Sequence, residues 1–240
     1  MHEIITSEAW SLLNNYFGEQ LFTEADITYI EQNDPYDGTL IGYNKNVNAI
    51  LYDSHKFFFL KLFHLRSLLG HPLRIIHVDR HWDSLTTEIS TFRLNSGLEN
   101  LSECLKFVDI FLHEGNFLRA ACYENLIEEI VFVVPETNKL NIETNLKLFE
   151  FYPRLKVSHL FDLCELNNLE TLPYVLDLDM DYFFDRYGNK TLCDKVLINL
   201  LSRQWRSIGV ALSPRHCGGG LEIPLDMFNR CSKLLKNRKS

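Results

Sequence analysis

The stretch Leu73-Arg74-Ile75-Ile76-His77-Val78-Asp79-Arg80-His81-Trp82-Asp83 passes from apolar to ionisable within eleven residues. Residues 73–78 carry β-branched and aliphatic side chains with no turn former, and they read as a strand buried on both faces. Alternate residues of an extended chain point the same way. Asp79, His81 and Asp83 are therefore expected on one face where the strand ends. Two carboxylates and an imidazole suit a hard to borderline divalent cation such as Mn²⁺, Fe²⁺ or Zn²⁺. The competing reading is a polar loop with incidental charges, but three ionisable groups on one face are costly without a partner. His77 shares the face of Asp79 one step deeper in the apolar run. It reads as packed, or as a support behind the ligands, rather than as a ligand.

The same pattern returns at Tyr174-Val175-Leu176-Asp177-Leu178-Asp179-Met180-Asp181. An apolar strand again ends in alternating acids, and like charges so close together repel unless cations neutralise them. A single D-x-D is a weak signal, whereas D-x-D-x-D beside D-x-H-x-D is a much stronger one. A third candidate is His55, in Tyr52-Asp53-Ser54-His55, between a strand at 49–52 and a helix that starts at Ser54 and stops at Gly70. A histidine at a helix start is by itself more often structural; here it would project toward the same rim.

Short apolar runs alternate with helix-period segments along the rest of the chain. Further strands are expected at 130–134, 157–161 and 210–212, and helices at 7–17, 98–108, 115–128, 141–151, 190–205 and 226–236. This order implies an α/β fold of three layers, α/β/α, with a mainly parallel sheet. In such sheets ligands bind beyond the carboxyl ends of the strands, where these motifs fall. The 240 residues suit one domain, with 1–47 its least legible part and a turn at 33–38.

Net charge is −8, and no basic stripe points to nucleic acid. The basic tail at 233–239 reads as a solvated helix end. No apolar run of membrane-spanning length and no secretory signal are found, so a reduced, cytoplasmic protein is expected. The six cysteines form no C-x-x-C pair and read as core filler. Cys217, in His216-Cys217-Gly218-Gly219-Gly220, reads as pocket lining rather than as a nucleophile.

Taken together, the motifs resemble the arginase/deacetylase superfamily: a histidine before a helix, then D-x-H-x-D, then a D-x-D on a later strand. The resemblance covers residues 49–213, and the metal motifs are its specific part. Leu176-Asp177-Leu178-Asp179-Met180-Asp181-Tyr182-Phe183 and Leu212-Ser213-Pro214-Arg215-His216-Cys217-Gly218-Gly219 resemble a compact branch that includes the peptide arginases of ribosomal peptide biosynthesis. Those enzymes convert arginine side chains of a precursor peptide to ornithine. The resemblance implies an arginase-like fold and two Mn²⁺ ions, with His55 and Asp83 on one ion, His81 on the other, and Asp79 bridging. The last motif has two registers. In the preferred one Asp179 bridges, Asp181 is terminal and Asp177 takes the place of a family serine; in the other, Asp177 and Asp179 are the ligands.

The resemblance further implies an arginine-containing precursor peptide as partner and leaves the oligomeric state open; charge and hydropathy add the expectation of no nucleic-acid and no membrane partner. Asp83 and His113 are the catalytic candidates, with His113 for proton transfer. Asn116, His216 and Glu222 are the candidates for substrate binding. The chain departs from the family pattern in having no histidine between 85 and 100, where a proton-transfer residue is expected, and no evident counterpart of the glutamate that meets the guanidinium. The alternatives are another amide or amidine hydrolase of the superfamily, or a peptide-binding protein with a structural cation. A deacetylase normally has a His-His pair, and a metallophosphoesterase adds G-D-x-x-D and G-N-H segments; the chain has none of these.

Overall fold

The computed structural model describes residues 40–44, 49–52, 54–83, 101–134, 142–150, 152–186, 190–213, 217 and 222–239. The helix expected at 7–17 and the turn at 33–38 lie outside the described residues.

Seven strands form one sheet: β1 (Leu40–Asn44), β2 (Ala49–Tyr52), β3 (Leu73–Val78), β4 (Ile127–Val133), β5 (Lys156–Leu160), β6 (Tyr174–Asp179) and β7 (Ser207–Ala211). Their order is β1-β2-β7-β6-β3-β4-β5. The six strands from β2 to β5 in that order are parallel, and β1 pairs antiparallel at the edge. Parallel neighbours need crossover connections, and here these carry helices. They are α1 (Phe58–Leu69), α2 (Leu101–Phe111), α3 (Phe117–Tyr123), α4 (Ile142–Lys147), α5 (Asp181–Arg186) and α6 (Lys190–Leu201); α7 (Glu222–Lys239) follows β7. The three-layer α/β/α architecture is the expected one.

Strand alternation divides the core in two. Ile50, Tyr52, Ile75, Ile130, Phe132 and Val175 face one way and pack with Phe58, Phe59, Phe107 and Phe117 from α1, α2 and α3. Ala49, Leu51, Ile76, Val78, Leu176 and Leu178 face the other way and pack with Leu197, Leu200, Phe228 and Cys231 from α6 and α7. Each fully buried large side chain contributes roughly 1.5–3 kcal/mol. His77, Asp177 and Asp179 share the parity of Ile75 and Val175, so the polar groups emerge on the α1–α3 side.

Two close fits fix α1 against the sheet. A Cβ on Gly209 of β7 would lie 2.6 Å from Phe58 Cδ2 and would collide with the Tyr52 hydroxyl, so only glycine lets these rings approach. Lys61, fully buried on α1, donates from Nζ to the Ile208 carbonyl at 2.7 Å. Gly70 ends α1 at φ 74, its N–H donating to Arg66 O at 2.9 Å.

Several boundaries differ from the sequence reading. The helix expected over 115–128 stops at Tyr123: Asn125 takes φ 53, the Leu126 N–H returns to Ala121 O at 2.9 Å, and the chain then enters β4. The helix from Lys190 stops at Leu201, and the Trp205 indole donates to Leu200 O at 2.9 Å. Neither the edge strand β1 nor the short helix α5 was expected. No helix among the described residues is long and apolar enough to cross a membrane.

Candidate metal centre

The neighbouring strands β2, β7, β6 and β3 bring their carboxyl ends to one rim. Beyond β2, Ser54 is extended and His55 opens a 3₁₀ turn, His55–Phe57. His77 lies on β3 and Asp79 directly after it; Asp177 and Asp179 lie on β6; Ser213 follows β7. His55, His77, Asp79, Asp83, Asp177, Asp179, Asp181 and Ser213 are all buried, whereas His81 is 46% exposed.

Beyond Asp79 and Asp179 the chain leaves the strand pleat, yet the residues still converge. The Asp79 Oδ1 accepts the His81 N–H at 2.7 Å, and the Asp179 Oδ1 accepts the Asp181 N–H at 2.9 Å. Each aspartate folds the chain back over itself in a side-chain turn. One turn brings in His81 and the other brings in Asp181, which starts α5. Asp83 itself takes a left-handed conformation, φ 44.

Around His55 Nδ1 stand Asp83 Oδ2 at 2.8 Å, Asp79 Oδ2 at 3.1 Å and Asp179 Oδ2 at 3.4 Å. Around His81 Nδ1 stand Asp181 Oδ2 at 3.2 Å and Asp79 Oδ1 at 3.3 Å. Atoms that ligate one ion at ~2.1 Å, 90–109° apart, stand about 3.0–3.4 Å from one another. The two oxygens of Asp79 thus face two different sets. Two overlapping groups, His55/His77/Asp79 and Asp79/His81/Asp181, fit a metal ion.

Asp177 has another place. Its Oδ1 accepts from His55 Nε2 at 2.8 Å, and its Oδ2 accepts from His77 Nδ1 at 2.7 Å. The Tyr52 hydroxyl donates to Oδ1 at 3.4 Å. A carboxylate only accepts, so His55 donates from Nε2, and its neutral ring presents the Nδ1 lone pair to the acids. That is how a carboxylate behind a ligating imidazole fixes its tautomer.

The donor set itself tests for a cation. Of nine buried side-chain N and O atoms without a hydrogen-bond partner among the described residues, six belong to this cluster: His55 Nδ1, His77 Nε2, Asp79 Oδ2, Asp83 Oδ2, and Asp181 Oδ1 and Oδ2. Buried polar atoms are nearly always paired, and burying unpaired charge is costly. These atoms converge on common points, which a metal ion would satisfy.

The electrostatics agree. Burial pushes the Asp83 carboxyl up to about 7, and nearby Asp79 adds to the effect. Burial, then Asp179 and Asp79, push Asp181 up to about 8. Contact with Asp181 and Asp79 pushes His81 up to about 11. Burial opposes charge on His55, but Asp177 and the other acids outweigh it and hold the imidazole well above its usual range. Burial likewise opposes charge on Asp79, but His55 and His81 outweigh it and hold the carboxyl well below the usual range. Without a cation the cluster holds protons; a divalent ion would take their place.

The remaining candidates lie less centrally. His113 is exposed, in the turn between α2 and α3, and its Nδ1 accepts the Gly115 N–H at 3.1 Å. The Asn116 carboxamide turns into its own loop, accepting the His113 N–H at 2.9 Å, with its Nδ2 3.5 Å from Phe111 O. His216 lies outside the described residues, and Glu222 is known only as the first residue of α7. Cys217 is buried with its thiol donating to Leu212 O at 3.4 Å. Trp82 packs on Phe132 with ring centroids 4.8 Å apart, so it fills core.

Two neighbours were not singled out from the sequence. Ser213 donates from Oγ to Asp179 Oδ2 at 2.6 Å and adopts φ 41. Phe117, the first residue of α3, lies 4.7 Å from the His55 ring. Serine and phenylalanine are too common for a single sequence to flag either. No protein-family model and no curated protein matches the chain.

Proposed function

We propose that the protein is a binuclear, manganese-dependent hydrolase that converts arginine side chains of a precursor peptide to ornithine and releases urea. The reading places it in the arginase/deacetylase superfamily, near the peptide arginases its motifs resemble. The observation that carries it is that Asp79 belongs to two groups of ligand atoms at once, its Oδ2 beside His55 Nδ1 and its Oδ1 beside His81 Nδ1.

His55, Asp79, Asp83 and Asp179 would hold the inner ion, and Asp79, His81 and Asp181 the outer one. When bound, such ions supply Lewis acidity, lowering the pKa of a water and stabilising charge that develops in the reaction. The chain's own residues do the rest. Asp177 keeps the His55 tautomer fixed. Ser213 holds one oxygen of Asp179 in place. His81 is the exposed ligand, so substrate approaches from its side. The bond that breaks joins the guanidinium carbon to the side-chain nitrogen, which needs a proton to leave as an amine. His113, whose Nδ1 accepts the Gly115 N–H here, would supply that proton from Nε2 after its ring takes up a second proton at Nδ1 and releases Gly115.

Mass spectrometry tests the reading. Protein supplied with Mn²⁺ is incubated with arginine-containing peptides, including a candidate precursor, and separately with free arginine. A peptide mass loss matching arginine to ornithine, with urea released and EDTA blocking both, is expected. Turnover of free arginine alone removes the peptide assignment. No turnover of any arginine substrate by metal-loaded protein overturns the hydrolase reading.

A further inference from the structure

His77 is read from the sequence as core filler or support, yet its surroundings fit neither role fully. It is completely buried, on the strand face shared with Asp79. Its Nδ1 donates to Asp177 Oδ2 at 2.7 Å. Phe117 and Phe132 meet its ring edge-to-face, with centroids 6.2 and 5.4 Å away. These contacts fix the ring plane and the tautomer together. Nδ1 carries a hydrogen, so in the neutral ring Nε2 carries the lone pair.

That lone pair has no hydrogen-bond partner. It lies 3.5 Å from Asp79 Oδ2, the same oxygen that stands 3.1 Å from His55 Nδ1. The two imidazoles stack at 24° with centroids 5.2 Å apart, both tied to the single carboxylate of Asp177. One acid therefore turns two imidazole lone pairs toward one carboxylate oxygen. A lone pair facing a carboxylate across a dry gap is repulsive unless a proton or a cation lies between them, and a divalent ion would take the proton's place.

We propose that His77 is itself a metal ligand, through Nε2, and that the inner ion is held by two imidazoles together with Asp79. This deepens the binuclear reading above and rests on it. It makes the two positions chemically unequal. The inner ion has the more nitrogen-rich, fully buried set, and the outer ion has one exposed imidazole among carboxylates. Imidazole-rich sets favour Zn²⁺, Co²⁺ and Fe²⁺ over Mg²⁺ and Ca²⁺. The inner position would select such ions and hold them longer.

The test uses the full wild-type chain, labelled with ¹⁵N at its histidine rings and titrated with Zn²⁺ alone. The first equivalent is expected to move two ring nitrogens to metal-bound shifts, Nδ1 of His55 and Nε2 of His77, with His81 following at the second. A His77→Gln variant, used for assignment, is expected to lose one of the first two signals and at least tenfold in affinity for the first ion. If His55 shifts while His77 Nε2 stays unligated, the proposal is overturned and the binuclear reading survives. If no ring nitrogen responds to zinc, both fall. Because nothing here depends on turnover, loss of the arginase assignment alone would leave the result standing.

Discussion

Replacing Asp177 by asparagine changes one oxygen to an amide nitrogen and almost no volume, so the fold should survive. Each carboxylate oxygen accepts from one imidazole, His55 Nε2 at 2.8 Å and His77 Nδ1 at 2.7 Å. Asparagine can satisfy only one of the two, because its NH₂ group must face the other ring. That ring nitrogen then has to accept, and its hydrogen moves to the nitrogen that faces the metal site. Whichever way the amide turns, one imidazole is blocked. Loss of such a support typically lowers metal affinity by about 10–100-fold, or about 1.4–2.8 kcal/mol. Competition between the protein and a chromophoric chelator for Zn²⁺ measures the change, with circular dichroism as the control for folding. Affinity within threefold of wild type, with the fold intact, would refute the orienting role. Loss beyond about a thousandfold would mean that Asp177 is a ligand, as in the other register of the acidic run.

Metal affinity should rise with pH between about 6 and 8. Asp83, pushed up to about 7, Asp181, pushed up to about 8, and His81, pushed up to about 11, hold protons that a cation must displace. Calorimetry in buffers of different ionisation enthalpy should show more than one proton released per chain at pH 7, and none released would contradict this. Without metal, the raised carboxyls contribute stability that is full below pH 4 and fades as pH rises through about 7–8, visible in urea midpoints of EDTA-treated protein. Gly209→Ala should cost about 1–3 kcal/mol by overpacking against Phe58, lowering the thermal midpoint by some degrees; an unchanged midpoint would show that α1 can shift. Burial lowers Lys61 from 10.5 to about 7, so the unfolded chain binds its proton more tightly over that range. Wild type should therefore gain stability relative to Lys61→Met as pH rises from 7 toward 10, read from urea midpoints at both ends.

The two central strands that carry the acids were legible because they are apolar runs that stop at aspartates. Residues 73–78 form β3 as expected, and 174–178 form β6 with one residue added. Helix ends were less legible, because they depend on single residues such as Asn125 whose left-handed turn no periodicity reveals. The acids of the centre could be named from spacing, but the stated reason held only in part. Asp79 and Asp179 follow the strand pleat, while His81 and Asp181 arrive through side-chain turns. What separates Asp177 from Asp179 was hidden as well. Asp177 and Asp179 look alike in sequence, and only the approach of His55 and His77 from β2 and β3 separates them. That approach joins residues far apart in the chain, His55 and Asp177 by 122 positions and His77 and Asp177 by 100.

Native mass spectrometry of the wild-type chain, stripped of metal and reconstituted with Mn²⁺, puts the binuclear centre to the most direct test. Two ions per folded chain are expected, both removed by EDTA. A single ion, or none, would contradict a centre in which Asp79 divides its oxygens between two metals.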